Sequence, residues 1–145
     1  MEKPIDIIYI ELIVVANQTE SDIWLSGSLE ITINEKKPYG ESDIIDPDAL
    51  LESLESDGEY FIFSCCCGLP KCSGWIHPIK VIHLENQIKW INPNDNKIWL
   101  FDKNKIEEQI KTINEEVKIF KKYFNEKEIE YVGYGFNLQV EPTVS

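Results

Sequence analysis

The sequence predicts an α+β fold: a mostly antiparallel sheet of about six or seven strands, packed by one short helix and one long C-terminal helix. Three observations lead there. Short runs rich in β-branched and aromatic residues recur as far as residue 101, separated by turn-forming Asn, Asp, Gly and Pro. One stretch after Asp102 carries apolar side chains at helical spacing. No repeat, linker or low-complexity tract divides the 145 residues, so the chain reads as a single domain, 1–145.

In order along the chain, residues 5–16 are nearly continuous in apolarity, which predicts a central strand covered on both faces. Residues 23–33 alternate, with Ile23, Leu25, Leu29, Ile31 and Ile33 on one side, and should form a hairpin with the first strand. Residues 34–46 are polar, and Asp46-Pro47 then supplies an N-cap and a first-turn proline for a short helix over residues 47–55. Strand character resumes over 59–66. Three more strands, 79–84, 87–91 and 97–101, are separated by short polar turns and make a meander. Within it, the alternation of Ile88 with Trp90 and of Trp99 with Phe101 marks the buried face. Asp102 caps a helix reaching about residue 124, with Ile106, Ile110, Ile113, Val117, Phe120 and Phe124 on one stripe. A last strand is expected over 130–140.

Charge excludes some function classes. Fourteen basic residues against 26 acidic ones give a net charge of −12, which repels polyanions, and the basic runs are too diluted for a phosphate-tracking stripe, so nucleic acid is not an expected partner. The opening residues lack the positive start of a secretory signal, and acidic residues interrupt the apolar run that follows, so no membrane segment is expected and the reading is cytoplasmic. In a reducing compartment the four cysteines are expected as thiols, metal ligands or a reactive pair.

All four cysteines fall in Ser64-Cys65-Cys66-Cys67-Gly68-Leu69-Pro70-Lys71-Cys72-Ser73-Gly74-Trp75-Ile76-His77. In an extended chain Cys65 and Cys67 share one face and Cys66 lies on the other. Gly68 and Pro70 can turn Cys72 back toward the pair. His77, or alternatively His83, can then supply a fourth donor, and three thiolates with one imidazole suit tetrahedral zinc. Two other readings stand beside it: the cysteines fill a tight turn as small apolar side chains, or a vicinal pair serves redox or nucleophilic chemistry. His83 shares a predicted strand face with Ile79 and Val81, which also suits a half-buried histidine satisfied by the backbone.

The segment from Phe63 to Gly74, followed by a short strand and Ile88-Lys89-Trp90, resembles a group of small uncharacterised bacterial proteins with a C-x-C-G-x-x-x-C-x-G pattern. The resemblance spans about thirty residues. It implies Cys65, Cys67 and Cys72 as the ligand set and leaves Cys66 outside it; it implies no activity.

Two functions follow from the sequence. The first is a non-enzymatic domain that binds another, basic protein, as immunity proteins bind basic toxins, carrying a zinc-binding knuckle. The second is a metal- or thiol-dependent enzyme centred on the Cys/His cluster.

Overall fold

Alternation in residues 79–102 produces the expected meander. In the computed structural model, which describes residues 5–65, 67 and 69–133, it consists of β6 (Ile79–His83), β7 (Gln87–Asn92) and β8 (Lys97–Asp102). Before it come β1 (Ile8–Gln18), β2 (Ile23–Ile33), β3 (Asp43–Ile45), α1 (Pro47–Ser53), β4 (Gly58–Tyr60), β5 (Phe63–Cys65) and a 3-10 turn (Pro70–Ser73). After it come α2 (Lys103–Glu126) and β9 (Glu130–Gly133). The fold is α+β with mainly antiparallel pairing. The remainder of the strand expected over 130–140, and Cys66, lie outside the described residues.

The meander register pairs Val81 with Trp90, Trp90 with Trp99, and Ile88 with Phe101, so these side chains share one face. All five are buried there, in the alternation the sequence shows. Trp90 meets Phe101 edge-on at 5.1 Å between ring centroids and Phe63 at 6.2 Å.

Both helices start where expected, because the caps are local. The Asp46 carboxylate accepts from the N–H groups of Asp48 and Ala49 at 3.0 and 3.2 Å. That of Asp102 accepts from Asn104 and Lys105 at 2.9 and 3.4 Å. α1 ends at Ser53, two residues short of expectation, as the Ser53 hydroxyl turns back onto the Leu50 carbonyl at 2.6 Å. On α2 the stripe forms as read: Ile106, Ile113 and Val117 are buried, with Ile110 packed partly against the same core.

Long-range pairing departs from expectation in three places. The strands form three ladders rather than one sheet, in the orders β1-β2-β9, β3-β5 and β4-β6-β7-β8. First, the strand expected over 59–66 is broken. Tyr60 pairs with Ile79 on β6, whereas Phe63 pairs with Ile45 on β3, so the chain crosses between ladders at Phe61-Ile62. Ile62 and Phe63 are consequently both buried, which strict alternation in a half-covered strand forbids. Second, β3 arises within the polar segment 34–46. Third, β1 is not central: among the described residues it lies at the edge of its ladder, with Tyr9 56% and Val15 49% exposed, while β9 adds in parallel on the far side of β2. An apolar run specifies a strand, but not whether both faces are covered.

Candidate metal centre

Cys65 ends β5, where its register partner is Asp43 of β3. Past Cys67, Pro70 opens the 3-10 turn that carries Cys72, whose N–H bonds the Leu69 carbonyl at 3.1 Å. Gly74 closes the turn in the left-handed region at φ 90°, where its N–H reaches the Lys71 carbonyl and the next N–H, of Trp75, reaches that of Pro70. A side chain at position 74 would disfavour that conformation.

Trp75 then pins the turn to the core. Its ring is buried and stacks on Phe63 at 5.1 Å, and its indole N–H donates to Asp43 Oδ2 at 3.1 Å. The same carboxylate oxygen accepts the N–H of Gly40 at 2.8 Å. One aspartate opposite Cys65 thus ties together both limbs that carry the thiols. No sequence pattern marked Asp43, because its role exists only across a ladder and a distant loop.

The Sγ atoms of Cys65, Cys67 and Cys72 all lie within 4.8 Å of one another, and the cluster could hold a metal ion. Tetrahedral zinc with Zn–S bonds near 2.3 Å needs sulfurs about 3.8 Å apart, so little inward movement is required. Cys65 is half-buried, while Cys67 and Cys72 face solvent. Among the described residues, these are the cysteines that the backbone brings together.

Neither histidine joins that group. His83 Nε2 sits 2.8 Å from the Ser53 carbonyl, the half-buried, backbone-satisfied arrangement that its strand face suggested. The main chain of His77 is clasped by the turn between β7 and β8: its N–H donates to Asn94 Oδ1 at 2.9 Å, and its carbonyl accepts from Asn94 Nδ2 at 2.8 Å. Its side chain is exposed. Among the described residues the structure thus assembles three thiols with a solvent-facing side, and no imidazole with them.

The neighbouring Cys67 holds the Cys72 thiol above its ordinary pKa, first through a thiol hydrogen bond and then through its charge, with burial and Cys65 acting in the same direction. A raised pKa keeps the proton on Cys72 to higher pH, and an incoming cation must displace it. Lower pH therefore favours the metal-free form. The apparent affinity for zinc is expected to rise by at least about tenfold per pH unit between about pH 6 and pH 8, read by competition with a chromogenic chelator. A flat profile would show that the thiols are not the ligands.

The chain matches no protein-family model, and no curated protein or solved structure matches it. Among the described residues, no helix is long and apolar enough to cross a membrane.

Proposed function

We propose that this chain is a non-enzymatic binding domain for a basic protein, acting in the cytoplasm, with a zinc knuckle that fastens the exit of β5. The observation that carries the reading is the construction of the thiol group. On its packed side it is fixed through Trp75, Phe63 and Asp43; on its other side it is open to solvent. Such a clip stiffens a surface loop, which is what a recognition surface requires. His77 is one source of the fourth donor, since its exposed side chain is free to turn even though its main chain is held.

The partner's chemistry follows from charge. Twenty-six carboxylates face 14 basic groups, and among the described residues the one salt bridge joins Lys37 to Glu30 at 3.2 Å. Carboxylates not neutralised by internal pairing leave a negative field outside the protein, and such fields raise encounter rates with cationic partners by about tenfold to a thousandfold at low salt. The test is association with polylysine and with a cationic nuclease, measured across a salt series. Binding should weaken by at least about tenfold between low and physiological ionic strength. Absence of association with either at low salt sinks the reading.

The second reading, a metal-dependent enzyme, is favoured by the same three-donor set, because a fourth tetrahedral position left to water is the arrangement of catalytic zinc. Cobalt substitution separates the two. An exchangeable fourth ligand, seen as a spectral change on adding azide, belongs to the enzyme; an inert spectrum belongs to the clip.

A further inference from the structure

Every second residue of β1 points its main-chain groups away from β2. The parity is set by Gln109 of α2, whose side-chain oxygen accepts the Ile10 N–H at 2.6 Å and whose amide donates to the Ile8 carbonyl at 2.9 Å. Gln109 thereby imitates a neighbouring strand for one residue pair. The ladder to β2 runs without a bulge from Ile8 to Gln18, so Leu12, Val14 and Ala16 also turn their N–H and C=O groups outward. No described residue bonds them. Natural edge strands are guarded by lysine, proline or a bulge, yet Leu12-Ile13-Val14-Val15-Ala16 has none of these.

Beside this edge runs a groove of about 470 Å³ between β1 and α2. Its helical wall is Glu108, Thr112, Ile113 and Glu116 beyond Gln109; Glu11 lies on the strand wall among apolar neighbours, and no basic residue lines it. A strand edge flanked by a helix is the geometry in which extended peptides add to a sheet: main-chain hydrogen bonds supply affinity and flanking side chains select the sequence. The acidic walls select a basic segment. They also oppose a second copy of this chain, because edge-to-edge pairing would bring two sets of these glutamates together in molecules of net charge −12.

We propose that the edge of β1 from Leu12 to Ala16 binds an extended, lysine- or arginine-bearing segment of a partner protein as an added strand. The inference rests on the proposed binding of a basic protein and assigns the surface that does it.

The probe is a short capped peptide of alternating lysine and valine, added to the full chain and followed by amide hydrogen exchange. In saturating peptide, exchange at Leu12, Val14 and Ala16 should slow by about tenfold or more. The same peptide N-methylated at alternate residues should have no effect. Val14→Pro deletes an outward donor without touching the β2 ladder, and should abolish the protection. Should that variant fail to fold, Glu108→Lys combined with Glu116→Lys, both on the exposed side of α2, should weaken binding at least about tenfold. Slowed exchange elsewhere but not at these amides overturns the edge assignment and leaves cation binding standing. No salt-sensitive binding of peptide, polylysine or nuclease overturns both. Protection that grows with protein concentration alone assigns the edge to a second copy and overturns the proposal.

Discussion

Cys67→Ser is expected to lower the affinity for zinc by on the order of a hundredfold. Structural zinc in small peptides contributes about 10–16 kcal/mol, so one of three or four ligands represents roughly 3 kcal/mol. Among the described residues Cys67 is one of three side chains that converge, and with it removed the ion is expected to be lost to a chelator. Native mass spectrometry of the reduced protein should show one zinc per chain in the wild type and the bare chain mass in the variant. Cys66→Ser serves as the control: it lies outside the ligand set that the sequence implies, and one zinc should remain. His77→Ala separates the sources of the fourth donor, with zinc retained but weakened if the imidazole closes the site and unchanged if water does. A wild-type mass equal to the bare chain, with thiols kept reduced, removes the knuckle and leaves a packed turn.

Trp90→Ala should be the most destabilising substitution in the core, at about 3–5 kcal/mol. Domains of this size are stable by only about 5–15 kcal/mol, so the loss approaches the whole. Trp90 is fully buried, pairs with Val81 on one side and Trp99 on the other, and touches both Phe101 and Phe63. Through Phe63 it also supports Trp75, and hence the thiol turn. Its indole N–H has no hydrogen-bond partner among the described residues. That predicts an asymmetry: Trp90→Phe removes ring area but also an unpaired buried donor costing about 1–3 kcal/mol, so its net cost should be much smaller than that of alanine. Urea unfolding should give a strongly lowered midpoint for Trp90→Ala and a modest one for Trp90→Phe. Equal costs would show that the indole N–H is bonded and that its loss, rather than lost packing, sets the penalty.

What could be read from residues alone was governed by distance along the chain. Asp46 and Asp102 cap their helices because the donors they satisfy are two and three residues away. The meander was legible because each strand pairs with its immediate successor, and the tryptophans fall on the period that buries them. That thiols cluster was legible for the same reason: four cysteines within eight positions, with glycine and proline between, can converge with little help from the remainder of the chain. Asp43 and Gln109 were not legible. Each acts on a main chain or ring more than thirty positions away, and nothing in a polar loop or on an amphipathic helix distinguishes it from its neighbours.

The α+β composition, the two helices with their caps, the buried face of the meander and the clustering of cysteines are all legible in the residues. Those are consequences of side-chain period, local hydrogen-bonding chemistry and short loop closure. Tertiary structure decided the rest: that residues 59–66 divide between two ladders, that β1 is an edge, that His83 is spent on the Ser53 carbonyl, and that His77 is clasped by Asn94. The physical reason is that an apolar run and a donor atom each accept many partners of the same chemistry. Only the closure of long loops, which costs entropy regardless of sequence, selects among them. The partner that satisfies a strand edge or a histidine is thus chosen by the whole fold.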